Sequence, residues 1–102
     1  MNKNQETVKN ALEEVYDPDL PVIDIYNLGL IYNIEVDEEN KYIHILMTLT
    51  TPACPSADLI INMATQAVQD EFPDFDIDVE LTFEPMWSPE MIKDEDLKRM
   101  FE

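Results

Sequence analysis

Between Leu30 and Phe83 the spacing of apolar residues switches from two to a helical period and back to two, and few folds accommodate that order. Leu30, Tyr32, Ile34 and Val36 fall on one side of an alternating run, with the only glycine, Gly29, just before it. Ile43, Ile45, Met47 and Leu49 then alternate with Tyr42, His44, Leu46 and Thr48. Strands place successive side chains on opposite faces, so both runs read as strands. The polar cluster Asp37-Glu38-Glu39-Asn40-Lys41 between them reads as a hairpin loop, which makes the pair antiparallel.

From about Pro55 to Phe72 the period lengthens. Ile60, Met63, Ala64, Ala67 and Val68 lie on one helical face, while Gln66, Gln69 and Asp70 look outward. Proline suits the first helical position, where its missing N–H costs nothing, and Pro73-Asp74 ends the run. From Asp76 to Glu84 alternation returns, with Ile77, Val79, Leu81 and Phe83 against Asp78, Glu80 and Thr82. Upstream, Val8, Ala11, Leu12 and Val15 give an amphipathic helix over Asn4 to Val15. It stops at Asp17-Pro18, because proline disfavours helical geometry in the residue before it, and Asp17 to Pro21 reads as a rigid turn or loop. Downstream, Ser88 and Asp94 cap helical turns, from which Leu97, Met100 and Phe101 can dock on the core.

The order is thus α-β-β-α-β-α, an α+β chain. A helix between the second and third strands implies a crossover, which makes those strands parallel where adjacent. The expected architecture is a two-layer sandwich with the helices on one face of a small mixed three-stranded sheet.

At 102 residues the chain is the size of one domain, with an expected radius of gyration of about 13 Å. A chain of this length buries roughly 60 to 65 per cent of its unfolded surface, enough for a core without disulfides or a structural metal. One cysteine makes no internal disulfide, the polar start Met1-Asn2-Lys3-Asn4-Gln5 is unlike a secretory signal, and no apolar run nears the ~20 residues that span a bilayer. These features fit a soluble, cytoplasmic chain. Its 23 acidic and 6 basic residues give a formal charge of -17. That field repels nucleic-acid backbones and anionic membrane surfaces, and would suit a basic patch on a partner protein as well as simple solubility.

Candidate chemistry centres on Cys54. Its expected place, between a strand and a helix start, lends it unpaired backbone N–H groups and the positive end of the helix dipole, which favour a thiolate. A cysteine so placed can equally be a small apolar residue under the helix. The only histidine, His44, lies on the opposite alternation to Ile43 and Ile45, and the extended segment after it covers about 20 Å, so no Cys-His dyad is expected. Nor does one thiol complete a zinc or cluster site, so further ligands would come from a second copy, a partner, small thiols or carboxylates such as Asp17, Asp19 and Asp58. The remaining acidic runs read as solvated loops and strand faces. Trp87, between Pro85 and Pro89, reads as a core anchor, or with Met86 as a protein-binding spot.

Three segments carry a resemblance: Asp17-Pro18-Asp19-Leu20, Asn27-Leu28-Gly29-Leu30-Ile31-Tyr32, and Met47 through Asp58, with Thr50-Thr51-Pro52-Ala53-Cys54-Pro55 the most specific part. They resemble the family of small metal-sulfur cluster assembly factors that includes the SufT and PaaD proteins. The resemblance extends over nearly the whole chain and implies one iron-sulfur cluster assembly-like domain over residues 1–102. It implies a non-enzymatic accessory role in assembling iron-sulfur clusters or transferring them to client proteins. Cys54 would be the transient ligand of a metal or cluster completed by a second chain or a partner. Asp17, Pro18, Asp19, Thr51, Pro52, Pro55, Asp58 and Trp87 would be the motif or interaction residues. The implied partners are an assembly scaffold, apo-client proteins or a homodimer mate. The alternative, suggested by the PaaD-like members, is a non-catalytic interaction module accompanying a multicomponent oxygenase or scaffold.

Overall fold

The computed structural model describes residues 3–17, 20–50 and 57–100. Their order is α1 (Lys3–Leu12), β1 (Tyr16–Asp17), β2 (Leu20–Asp24), β3 (Ile31–Asp37), β4 (Tyr42–Met47), α2 (Ala57–Glu71), β5 (Asp76–Leu81), a short 3-10 turn (Pro89–Met91) and α3 (Glu95–Met100). The fold is α+β. Its main sheet has the order β3-β4-β5, with β3 and β4 antiparallel and β4 and β5 parallel, as the crossover through α2 requires. The radius of gyration is 13.3 Å.

Register explains which face is buried. Ile34, Ile45 and Val79 are matched across the three strands, as are Val36, Ile43 and Ile77. These side chains face α1 and α2, which pack on each other and on the outer strands. Ile43, Ile45 and Met47 on β4 meet Ile60, Ala64 and Val68 on α2 and Val8 and Leu12 on α1, all fully buried. At about 25 cal/mol per Å2 of apolar surface, a layer of this kind is the main favourable term of folding.

Several local features depart from the expected pattern, and α1 ends at Leu12, short of Val15. The stretch after α1, expected as a turn or loop, contains the two-stranded ribbon β1-β2, with Tyr16 opposite Asp24 and Asp17 opposite Leu20. A two-stranded ribbon leaves one side of each strand unpaired, so Pro21 is compatible with pairing there. In β3 the register slips between Ile31 and Asn33, where two residues of β3 are matched by one of β4. This bulge buries Ile31 beside Leu30 and takes Tyr32 off the face it was expected to share. At the end of β4 alternation fails, because Met47, Thr48 and Leu49 are buried in succession. Finally, β5 ends at Leu81 rather than Glu84, after Thr82 N–H donates to Met47 O at 2.8 Å and β4 offers no further partner.

The helix ends follow local chemistry. Gln69, expected to look outward, is half-buried, and its amide donates to Phe72 O and Phe75 O, both at 2.9 Å, closing the turn into β5. Asp94 Oδ1 accepts from Asp96 N–H at the start of α3, whereas Ser88 heads the 3-10 turn without a side-chain bond. The expected docking of Leu97, Met100 and Phe101 lies outside the described side chains. On the outer edge of β3, Gln5 of α1 donates from Nε2 to Ile34 O at 2.9 Å.

Gly29 holds a junction that no other residue type would fit. Its φ is +90°, and a Cβ there would lie 2.3 Å from the carbonyl oxygen of Met91. Replacing Gly29 with alanine should cost at least about 2 kcal/mol, the sum of a strained backbone and a forced shift of the 3-10 turn. Urea unfolding of Gly29→Ala checks this, and an unchanged midpoint would refute it.

Candidate functional site

The sequence places its candidate ligand between β4 and α2, and the structure defines both ends of that connection. Thr48 leaves β4 with its N–H donating to Leu30 O at 2.8 Å, and Leu49 is buried behind it. The helix on the far side begins at Ala57, and fully buried Ile60 fixes its first turn. Asp58 is exposed in that turn, where an acidic side chain complements the helix dipole. Thr51, Pro52, Cys54 and Pro55 lie outside the described residues, as do Pro18 and Asp19. The backbone of Asp17 is paired in β1. Among the described residues, no group of three or more His, Cys, Asp or Glu side chains could hold a metal ion.

The loop 25–30 holds three distant segments through its carbonyl oxygens. Leu30 O receives the β4 exit, Leu28 O receives Trp87 Nε1–H at 2.7 Å, and Asn27 O receives Lys93 N–H at 2.7 Å. Trp87 is half-buried against the core, so its indole anchors the tail, while its neighbour Met86 is 59% exposed. Tyr32 secures the same tail by donating from its hydroxyl to Pro85 O at 2.6 Å.

Asp24, which the sequence alone does not single out, and Asn27, the first residue of the motif that runs to Tyr32, shape that loop. Asp24 is buried, and its carboxylate accepts the Asn27 N–H and side-chain amide, each at 2.9 Å. The Asn27 amide also donates to Glu13 Oε2 at 3.2 Å, joining the loop to the end of α1. An aspartate accepting from a nearby backbone N–H is an Asx-type turn. Its signal was present as Asp24-Ile25-Tyr26-Asn27, but such spacing is common enough to need the fold for its meaning.

The sheet face away from the helices is strongly acidic. Glu35, His44 and Asp78 are matched across it, and so are Asp37, Tyr42 and Asp76. His44, half-exposed as expected, contacts Glu80 through Nε2 at 2.9 Å, and the Tyr42 hydroxyl donates to Asp78 Oδ2 at 2.8 Å. That hydrogen bond, with the charges of Asp78, Glu80 and Glu35, holds the Tyr42 phenol above its ordinary range.

Two outcomes follow from these contacts. Asn27→Ala strips the buried Asp24 carboxylate of one donor and should cost about 1–2 kcal/mol by urea unfolding. Tyr42 should ionise above the usual tyrosine value of about 10 in an absorbance titration at 295 nm, and Asp78→Asn should bring it back down. Because the folded-state value is raised, Tyr42 contributes stability in full below the unfolded value and loses it as pH rises through the folded one. A titration unchanged by Asp78→Asn would refute the assignment.

Residues 5–83 match a family described as iron-sulfur cluster assembly protein. A Porphyromonas gingivalis protein named Fe-S protein maturation auxiliary factor is 39% identical over 93 residues, covering 91% of this chain and 87% of its own. The Bacillus subtilis Fe-S protein maturation auxiliary factor YitW is 40% identical, over 82% of this chain and 80% of its own. A conserved hypothetical protein from Thermotoga maritima of solved structure superposes with a TM-score of 0.81 at 40% identity, covering 99% of this chain and 94% of its own. The family match and the two relatives, which span most of both partners' lengths, agree: this chain belongs to the iron-sulfur cluster assembly protein family, the one that includes SufT.

Proposed function

We propose that the chain is an accessory factor in iron-sulfur protein maturation, assisting cluster assembly or delivery to apo-proteins without itself catalysing a reaction. The observation that carries this reading is the length of the similarity, since proteins named as maturation auxiliary factors match it over most of both chains. The cluster is cargo here. Cys54 is its transient ligand in this proposal, with the remaining ligands supplied by an assembly scaffold, an apo-client or a second copy, because one thiol cannot satisfy a cluster's iron atoms. Residues 1–102 act as one domain, with Asp17, Pro18, Asp19, Thr51, Pro52, Pro55, Asp58 and Trp87 as the motif residues around the delivery step.

Several observations support this assignment. Both ends of the segment carrying Cys54 are fixed by buried residues, Leu49 on one side and Ile60 on the other. In sequence, Cys54 lies between these two fixed points. Among the described residues, no helix is long and apolar enough to cross a membrane.

Anaerobic reconstitution with ferrous iron and sulfide tests the role of Cys54. The wild-type chain should develop cluster absorbance in the visible range and pass it to an apo-ferredoxin, while Cys54→Ala should show only background in both measurements. Equal loading and transfer by Cys54→Ala would remove the thiol from the mechanism.

A further inference from the structure

Among the described residues, no other element covers the face of the main sheet opposite α1 and α2, and its composition is that of an interface. Nine side chains compose it, three each from β3, β4 and β5: Asn33, Glu35 and Asp37, then Tyr42, His44 and Leu46, then Asp76, Asp78 and Glu80. Two observations about them are independent. The outer strands carry five carboxylates and no lysine or arginine. The central strand carries Tyr42, which is 38% exposed, and half-exposed Leu46, where a merely solvated face would place polar residues. A central strand bearing an aromatic and an apolar side chain on either side of His44, with carboxylates flanking it on both outer strands, has the anatomy of a protein-binding surface, in which tyrosine is an enriched anchor.

We propose that this face docks a basic amphipathic helix of a partner protein, its apolar stripe on Tyr42 and Leu46 and its lysines or arginines on the carboxylates to either side. The dimensions agree. The outer strands stand about 9.5 Å apart, two strand spacings, which matches the width of a helix. From Tyr42 to Leu46 the ridge runs about 13 Å, some two and a half helical turns. Charge selects the occupant, because five carboxylates attract a cationic surface and repel a second copy of a chain carrying -17. Tyr42 is already oriented by its bond to Asp78, and His44 by its contact with Glu80, so the centre of the surface is ordered before a partner arrives. The surface is composed of residues of β3, β4 and β5 alone, and the inference stands whether or not Cys54 ligates metal.

The probe is an 18-residue helical peptide of leucine and lysine with leucine along one face, compared with a scrambled peptide of identical composition. Amide chemical-shift mapping on the full chain should place the largest shifts on β3, β4 and β5. The scrambled peptide should bind at least about tenfold more weakly, since it keeps the charge and loses the stripe. The triple variant Glu35→Gln, Asp78→Asn, Glu80→Gln should lose about tenfold in affinity, as should Leu46→Ser. Neutralising Asp70 and Glu71 of α2 and Glu90 of the 3-10 turn, all exposed, should change it less than about twofold. Cys54→Ala should bind like wild type, which separates this result from any failure of the cluster role. Equal binding of both peptides, equal loss in the two triple variants, or shifts spread over the whole surface would overturn the proposal. Should the open-face variant melt early by circular dichroism, the shift map and the scrambled-peptide comparison on the wild-type chain decide alone.

Discussion

Pairing across β4 is the interaction on which the rest depends. This strand is antiparallel to one neighbour and parallel to the other, so its register sets both outer strands at once. Because side chains alternate along each strand, a slip of one residue would exchange Ile43 and Ile45 for Tyr42, His44 and Leu46 beneath the helices. The buried face therefore fixes the exposed one. It also fixes where the chain leaves the sheet toward Cys54, since Thr48 continues the ladder by bonding to Leu30 and carries the chain out of β4 at a defined point.

The second organising feature is a loop held by main-chain oxygens rather than by apolar packing alone. Carbonyl groups at positions 27, 28 and 30 each accept a hydrogen from a distant segment, and Gly29 lets the backbone approach Met91 closely enough for this. Buried backbone groups need partners, and here the partners come from the β4 exit and the tail. Asp24 and Asn27 hold the loop in the shape that offers those oxygens.

Elements with a long, clean hydrophobic period were readable in the sequence. The α2 pattern of Ile60, Ala64 and Val68 and the β5 alternation of Ile77, Val79 and Leu81 identify type, buried side and the parallel crossover together. What escaped was set by contacts between distant residues. The β1-β2 ribbon was hidden because proline at position 21 signals a turn locally, while pairing with Tyr16 and Asp17 depends on a partner strand of only two residues. The β3 bulge has no local signature, since Tyr32 fits the alternation until its hydroxyl finds Pro85, fifty-three residues away. Of the site residues named from sequence, Trp87 and Asp58 have described side chains, one tied inward and the other facing water. Cys54 was conspicuous as the lone thiol in a specific motif, whereas Asp24 looks like an ordinary loop residue until its bonds to Asn27 are seen.

The amide of Gln5 on the outer edge of β3 has a different kind of consequence. A small sheet ending in two outer strands offers templates on which foreign strands can assemble, the first step toward fibrils. On one margin Gln5 occupies the Ile34 carbonyl that an incoming chain would need. On the other, Asp76, Asp78 and Glu80 recur at every second residue of β5, so stacking like strands side by side would bring rows of negative charge together. The two margins are closed to recruitment by unlike means, one by occupation and the other by repulsion, leaving the broad acidic face open for contact with other proteins.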